Sequence, residues 1–270
     1  MRRRYASGFS LVELVIVLVL LGVLSVFAAD LIRQPIDASA DVQRRARLAD
    51  AADQAMSRMS RDLRLALPNS IRASTDGRAI ELLLAPMAGR YRANPASAIV
   101  DPVRDADVLD FSTPDASFAL MADLPTVPAA GQWAVVYNLV ADGGVANAWA
   151  GDNRATVTAG SSLRHVRLAP SFQFPFASPA QRVYFVSQAV QYRCAPDGQL
   201  LRHVGYAPSA AMQVPAASPS ALVAEGASFC DFRYVAGAQT RQSLASLRLT
   251  LTREGESVSL LKPVHVPNLP

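Results

Sequence analysis

A long apolar run near the N-terminus constrains this chain more than any other feature. Residues 9–29, FSLVELVIVLVLLGVLSVFAA, contain one charged side chain, Glu13, and follow a basic segment with Arg2, Arg3 and Arg4. At ~1.5 Å per residue, a helix over this run would be about 31 Å long, which matches the hydrocarbon core of a bilayer. The sequence therefore predicts a membrane-spanning helix over residues 9–29.

Three interpretations of this run are possible, and Glu13 argues against two of them. A secretory signal peptide has a basic start and a small-residue cleavage site, for which Val26-Phe27-Ala28 is a loose match. A carboxylate, however, has no purpose in a segment that is discarded. A plain membrane anchor would keep its basic end in the cytoplasm. An ionised carboxylate in lipid costs roughly 2.5 to 3.5 kcal/mol by insertion scales, so Glu13 should have a partner.

The third interpretation supplies that partner. The residues Gly8-Phe9-Ser10-Leu11-Val12-Glu13-Leu14, with the apolar run after them, resemble the class III leader of type IV pilins and of type II secretion pseudopilins. The resemblance implies that a prepilin peptidase cuts between Gly8 and Phe9 and methylates the amine of Phe9. It also implies that Glu13 pairs with the amine of a neighbouring subunit, which removes the desolvation penalty of both charges and sets the register of a filament.

The basic character of the chain belongs largely to this leader. Of the 26 basic residues 25 are arginine, and the net charge of +4 would fall to +1 if residues 1–8 were removed. There is no long basic run, so we expect no nucleic-acid partner.

After the apolar run, residues 30–67 keep a helical pattern but become polar. Apolar residues recur at spacings of three and four, which predicts one buried stripe on a charged helix. The stripe consists of Leu48, Ala52, Ala55, Met59, Leu63 and Ala66. Pro35 should kink or interrupt the helix, and Pro68 should end it. We therefore expect one long helix from Phe9 to Leu67, whose stripe packs against a globular domain.

Beyond Pro68, short alternating apolar runs separated by Pro, Gly, Asn and Asp predict β-strands. The predicted strands are 79–84, 108–112, 133–139, 164–168, 182–193, 199–206, 229–235, 244–253 and 257–266. The turns Pro196-Asp197-Gly198 and Glu254-Gly255-Glu256 predict two hairpins. Residues 90–104 and 207–226 lack periodicity and are expected to form surface loops. The predicted fold class is α+β, with a long N-terminal helix packed on a mostly antiparallel sheet in one β-rich domain, residues 68–270.

The two cysteines, Cys194 and Cys230, lie in predicted strands. A cytoplasmic N-terminus and a membrane-spanning helix would place the following domain in the periplasm, where disulfides persist. We expect a structural disulfide in preference to two free buried thiols. Zinc is not expected, because the cysteines are far apart and the chain has only three histidines.

Residue patterns for catalysis are absent from the sequence. It contains no G-x-S-x-G, P-loop, G-x-G-x-x-G or H-E-x-x-H motif, so we expect neither an enzyme nor a cofactor. The histidines are isolated, and packed or surface roles are expected for His165, His203 and His265.

Two further groups of residues are weaker candidates for a binding site. Asp105, Asp107 and Asp110 lack the glycine and distal glutamate of an EF-hand, so a solvated loop is expected and calcium is the lesser alternative. A sugar site is the lesser alternative to core packing for four aromatic residues, Tyr91, Trp133, Tyr137 and Trp149.

Three later stretches sharpen the resemblance. Residues 49–72, 184–206 and 229–235, together with the terminal VHVPNLP, resemble minor pilins of the MshO type, which serve the mannose-sensitive haemagglutinin (MSHA) pilus. They resemble the J-type minor pseudopilins of type II secretion more distantly. Residues 89–160 match poorly.

The resemblance implies a non-enzymatic minor pilin for surface attachment, which is first an inner-membrane protein with a periplasmic head and then part of the pilus. The implied partners are prepilin peptidase, other major and minor pilins, the inner-membrane assembly platform and the membrane itself. The large size of the globular domain, residues 68–270, which we call the head, favours a position for this subunit at the tip of the pilus or in the complex that initiates it. A J-type pseudopilin is the first alternative, and a membrane-anchored periplasmic enzyme or binding protein is the second.

Overall fold

The computed structural model describes residues 10–213, 218–237 and 243–267, with residues 26–40 described by their backbone. The predicted cleavage site at Gly8 and Phe9 lies outside the described residues. The chain divides into two compact units, Met1–Ala49 and Asp50–Pro270. The structure is α+β, and every strand pair in it is antiparallel.

The first element is a single long helix, α1 (Leu11–Arg64). Ser10 caps it, since its side-chain oxygen accepts a hydrogen bond from the backbone N–H of Glu13 at 3.2 Å. Pro35 was predicted to kink or interrupt the helix, and α1 continues past it without interruption. A proline removes one hydrogen bond at a cost of about 3 kcal/mol, and the helical turns on both sides continue past it. The helix ends three residues before the predicted Leu67, because Ala66 forms a β-bridge with Leu84.

The last turns of α1 form part of the core of the second unit. The five residues of the predicted apolar stripe that lie in this unit are all buried, and Met56 joins them. Three hydrogen bonds fasten this part of the helix to strands. Asp62 accepts hydrogen bonds from Tyr192 and Arg202, and Lys262 donates one to Ser57. The predicted packing of the stripe in a globular domain is confirmed for residues 50–64.

Fourteen strands and a second helix, which is short, follow in the described part of the chain. In chain order they are β1 (Arg72–Ala73), β2 (Ala79–Leu84), β3 (Met87–Arg90), α2 (Pro102–Asp105), β4 (Asp115–Ala119), β5 (Trp133–Val136), β6 (Arg154–Thr156), β7 (His165–Phe172), β8 (Arg182–Val186), β9 (Gln188–Cys194), β10 (Leu200–Val204), β11 (Ser220–Ala224), β12 (Ala227–Val235), β13 (Ser243–Arg253) and β14 (Glu256–Val266).

The strands form four sheets. A five-stranded sheet has the order β1-β2-β9-β10-β11, and a four-stranded sheet has the order β3-β8-β5-β6. A three-stranded sheet contains β12-β13-β14, and β4 pairs with β7. One apolar core includes Phe118, Val136 and Phe185 from the four- and two-stranded sheets, and a second lies around Trp149.

Most of the predicted strands are confirmed, with local exceptions that have physical causes. The predicted strand 182–193 divides into β8 and β9 at Ser187, whose N–H and hydroxyl both donate to the carbonyl of Leu84. Residues 108–112 form no strand, because the Asp110 carboxylate accepts bonds from Ser112 and Thr113 and holds a turn there.

Both predicted hairpins are confirmed. Cys194 pairs with Leu200 across one turn, and Arg253 pairs with Glu256 across the other. In the second turn both central residues have positive φ, 50° at Glu254 and 82° at Gly255, as a two-residue hairpin of type I′ requires.

The two predicted loops were wrong in part. The segment 90–104 overlaps α2, which begins after Asp101 as its N-cap. The segment 207–226 contains β11, an exposed edge strand that pairs with β10. Because β11 buries only its last residue, it shows no alternation from which a strand could be predicted.

Candidate functional site

Exposed apolar side chains cover the described start of α1. Every residue from Leu11 to Ser25 is exposed. Twelve of them are Leu, Val or Ile, with exposed fractions between 42% at Val17 and 79% at Leu11. A monomeric soluble surface rarely carries so continuous an apolar area, which marks this one as a contact surface for lipid or protein.

Glu13 is the one ionisable residue in this stretch, residues 10–25. It lies in the first turn of α1 and is itself exposed. A carboxylate is favourable at this end of a helix because the unpaired N–H groups carry partial positive charge. Ser10 and Glu13 therefore begin the helix together, and the carboxylate remains available at the surface.

No helix in the described residues has an apolar stretch long enough to cross a membrane. The membrane-spanning role of residues 9–29 stays a prediction.

The comparison with protein families concerns the same end of the chain. Residues 3–29 match the model of the prokaryotic N-terminal methylation motif. The match supports a type IV prepilin-like protein. Such a motif implies processing by a prepilin peptidase and association with other pilins. No curated protein and no solved structure matches the chain.

The two cysteines of the chain form a disulfide. Cys194 lies at the end of β9 and Cys230 lies in β12, with their Cα atoms 6.5 Å apart. The bond joins the five-stranded sheet to the three-stranded sheet, which no hydrogen-bonded strand pair connects among the described residues. It is a covalent link between two layers of the second unit.

A buried polar contact on α1 was not predicted from the sequence. Asp62 accepts a hydrogen bond from the Tyr192 hydroxyl and another from Arg202 Nε, both at 2.8 Å. Burial and the negative charge of Asp62 raise the pKa of Tyr192. Asp62, a charged residue outside the predicted apolar stripe, therefore fastens the end of the helix to β9 and β10.

A second buried ion pair lies at the start of the five-stranded sheet. Arg72 Nε donates to Glu81 at 2.7 Å, and their side chains are 3% and 1% exposed. The Tyr206 hydroxyl donates to the same carboxylate at 2.6 Å. Burial raises the pKa of Glu81, while the bonds from Tyr206 and Arg72 oppose the shift.

The same arginine holds a loop in place. The Arg72 guanidinium donates to the carbonyls of Ser209 and Ala210 and lies 4.0 Å above the ring of Trp149. The sequence contained a signal for this cluster, since Glu81 is the single charge in the apolar strand AIELLL. A lone charge in a buried strand requires a partner, but the pattern does not say which one.

The three carboxylates Asp105, Asp107 and Asp110 each bind a separate set of neighbouring groups. Asp105 accepts from the backbone N–H groups of Val100 and Asp101. Asp107 binds His165 Nε2 at 2.6 Å and Ser117 at 2.8 Å. These contacts are those of capped turns and strand ends.

Asp110 takes its bonds from its own turn. Hydrogen bonds from Ser112 and Thr113 lower the pKa of Asp110 to about 2. Among the described residues, no group of three or more His, Cys, Asp or Glu side chains is placed to hold a metal ion.

The remaining candidates serve packing or lie at the surface. Tyr91 and Trp149 are fully buried, and the Trp149 indole donates to the Ser70 carbonyl at 2.8 Å. Trp133 and Tyr137 pack partly buried against the same cores. These aromatics do not converge on one open surface.

The other two histidines differ in burial. His203 is buried beside Ser218, and burial lowers its pKa. His265 is exposed on β14.

Proposed function

We propose that this chain is a minor pilin of the MSHA type, similar to MshO, that takes part in the assembly or initiation of a pilus for surface attachment. The match of residues 3–29 to the methylation motif carries the proposal. The exposed apolar start of α1, with a carboxylate in its first turn, supports it.

The proposed mechanism begins in the inner membrane. Residues 9–29 span the bilayer, and residues 1–8 remain in the cytoplasm because of Arg2, Arg3 and Arg4. Prepilin peptidase cuts between Gly8 and Phe9 and methylates the new amine. The β-rich head lies in the periplasm, where the disulfide between Cys194 and Cys230 persists.

Assembly then depends on the apolar helix. The apolar side chains of residues 9–29 exchange lipid for the helices of neighbouring pilins in the filament core. The carboxylate of Glu13 pairs with the methylated amine of the adjacent subunit, and the pairing offsets the cost of removing either charge from water. This pairing fixes the axial position of the incoming subunit. We assign no catalytic step to the head.

Mass spectrometry of the mature N-terminus tests the shared part of the proposal. We expect a chain that starts at methylated Phe9 when the protein is made in cells with prepilin peptidase. We expect the intact chain from Met1 when the peptidase is absent. A mature start near Asp30 would instead indicate a signal peptide and would contradict the pilin assignment.

A J-type minor pseudopilin of type II secretion is the alternative, because the same motif serves both systems. Deleting the gene separates the two. Loss of surface fibres with normal protein export is expected for the pilus role. Normal fibres with lost export would favour the secretion role.

A further inference from the structure

The edges of the sheets in the second unit differ in how they are protected. A strand at the edge of a sheet presents unpaired N–H and C=O groups, which can pair with another chain. Proteins commonly cover such an edge or place Lys or Pro on it. The edge strand β14 carries both, as Lys262 and Pro263, and Lys262 is the only lysine of the chain. The edge of β14 is therefore protected against pairing.

Other strands are covered by their neighbours. A bridge between Tyr91 and Leu120 joins the ends of β3 and β4, and a bridge between Val157 and Leu168 joins β6 to β7. The four-stranded and two-stranded sheets therefore close into a ring of six strands. The edge strands β1 and β12 of the other two sheets lie beside each other. In each of these places a part of the same chain covers the edge.

The edge of β11 has none of these protections. Its sequence, SALVA, contains no charge and no proline. It pairs with β10 and with no other strand in the described residues. Its first three residues are exposed, and Leu222 is 48% exposed. An uncharged, exposed edge is a template for pairing with another strand.

The register shows which main-chain groups point outward from β11. The N–H of Val204 donates to the carbonyl of Pro219 at 3.1 Å, and the register of the two strands continues regularly to Leu222. Bonded pairs alternate along an antiparallel ladder. Ala221 therefore bonds to β10, whereas the N–H and C=O groups of Ser220 and Leu222 point away from it. The β-bulge comes after Leu222 and leaves these positions regular.

The spacing of these groups argues for a second copy of the chain as the partner. Ser220 and Leu222 lie symmetrically on either side of Ala221. If two copies of β11 pair antiparallel about Ala221, Ser220 of each copy lies opposite Leu222 of the other, and their outward groups meet as hydrogen-bonded pairs. No like charges oppose each other, because the strand carries none. The edge is thus complementary to itself.

We propose that β11 pairs with β11 of a second copy of this chain, antiparallel and centred on Ala221. The pair joins two five-stranded sheets across a two-fold axis. A two-fold contact is closed, so it links two copies. It does not extend into a fibre of sheets, because β1, at the other edge of the sheet, lies beside β12. The pairing does not depend on the pilin assignment.

Disulfide cross-linking of the full chain in detergent micelles tests this register. A pair of short strands buries little surface, so covalent trapping is more sensitive than a measurement of mass. The two native cysteines are bonded to each other, so an introduced cysteine supplies the free thiol. In the proposed pair the Cα atoms of the two Ala221 residues lie about 4.5 Å apart, within reach of a disulfide. We expect Ala221→Cys to give covalent dimers under mild oxidation, measured on non-reducing gels.

Two control variants and one mixture check the register. Ser220→Cys places the two thiols diagonally, with Cα atoms about 7 to 8 Å apart, and should give about tenfold less dimer because a disulfide does not span that distance. Ser257→Cys introduces a thiol at an exposed position of the protected strand β14 and should give as little. A mixture of the Ser220→Cys and Leu222→Cys chains should form the mixed dimer, because these residues lie opposite each other.

A proline tests the hydrogen bonds of the pair. Leu222→Pro removes an outward N–H and preserves the pairing of β11 with β10, because proline is tolerated where the N–H faces away from the sheet. In the Ala221→Cys chain it should reduce the dimer about tenfold, since a main-chain bond is lost on each side of the axis. Leu222→Val keeps the N–H and should leave the dimer unchanged. Circular dichroism checks that each variant is folded.

Three results would overturn the proposal. The first is a folded Ala221→Cys chain that gives no more dimer than Ser257→Cys. The second is equal cross-linking of Ala221→Cys and Ser220→Cys, because contact through the apolar start of α1 would bring two heads together without a fixed register. The third is a dimer yield that Leu222→Pro leaves unchanged, which would show that main-chain bonds at this edge do not hold the copies together.

Discussion

Residues 10–25 expose a row of apolar side chains around one carboxylate, whereas the described residues of the second unit hold buried charges such as Glu81 and Asp62 in pairs. Glu13 and Glu81 are both lone charges in apolar runs. Glu81 is buried and bonded to Arg72 and Tyr206. The carboxylate of Glu13 contacts no cation in the described residues and is exposed. The same sequence signal therefore has two outcomes. In the head the partner comes from the same chain, and at the N-terminus we infer that it comes from another subunit.

The largest effect on stability is expected where a buried pair is broken. Arg72→Met leaves the Glu81 carboxylate buried without its cation, and we expect a loss of about 3 to 5 kcal/mol in the free energy of unfolding. Denaturant unfolding of the full chain in micelles measures it. In the double variant Arg72→Met, Glu81→Leu we expect most of the loss to be recovered, because no uncompensated charge remains. If Arg72→Met alone lost less than about 1 kcal/mol, the pair would not be a stabilising contact.

The second-largest loss of stability is expected when the disulfide is removed. Replacing Cys194 and Cys230 together by Ser opens a loop with a sequence separation of 36 residues. We expect a loss of about 3 to 4 kcal/mol in the chain-entropy description. Thermal unfolding of the variant, compared with that of the disulfide-bonded parent chain, measures the loss. A second comparison is between the variant and the reduced parent chain. The two should unfold at nearly the same temperature, and a large difference between them would mean that the serines act through something other than the missing bond.

A smaller effect is expected for the polar contact on α1. Asp62→Ala removes the acceptor of Tyr192 and Arg202, and we expect a loss of about 1.5 to 3 kcal/mol in the free energy of unfolding. Asp53→Ala is the matched control on the same helix. Its carboxylate is 69% exposed and lies 3.7 Å from Lys262. An exposed pair contributes less than about 1 kcal/mol, so equal losses in the two variants would contradict the distinction.

The smallest effect on stability is expected at Glu13, where the effect on assembly is large. Glu13→Ala should change the free energy of unfolding by less than about 0.5 kcal/mol, as exposed substitutions do. Cleavage should remain largely intact, while incorporation into sheared fibres is impaired. Immunoblots of fibre and membrane fractions measure both. Glu225→Ala, an exposed carboxylate of the head, should be incorporated normally. Normal incorporation of Glu13→Ala would show that the carboxylate does not set the register.

Local patterns predicted much of the head. The strand β2 and the hairpins β9-β10 and β13-β14 follow from short alternating runs and from turn residues, because both signals act over a few positions. Five short strands were missed, namely β1, β3, β4, β6 and β11. Strands of two to five residues hold too few positions to show a clear alternation, so pairing with a neighbour determines them.

The sequence by itself determined the N-terminal motif, the apolar run with its single carboxylate, the α+β class and the two hairpins. Only the tertiary structure decided which charges meet. Asp62 meets Arg202 from 140 residues away, and Arg90 faces Arg182 through the pairing of β3 with β8. Sheet order and register bring such residues together. They depend on how many strands pack at once, which the periodicity of any one strand does not record.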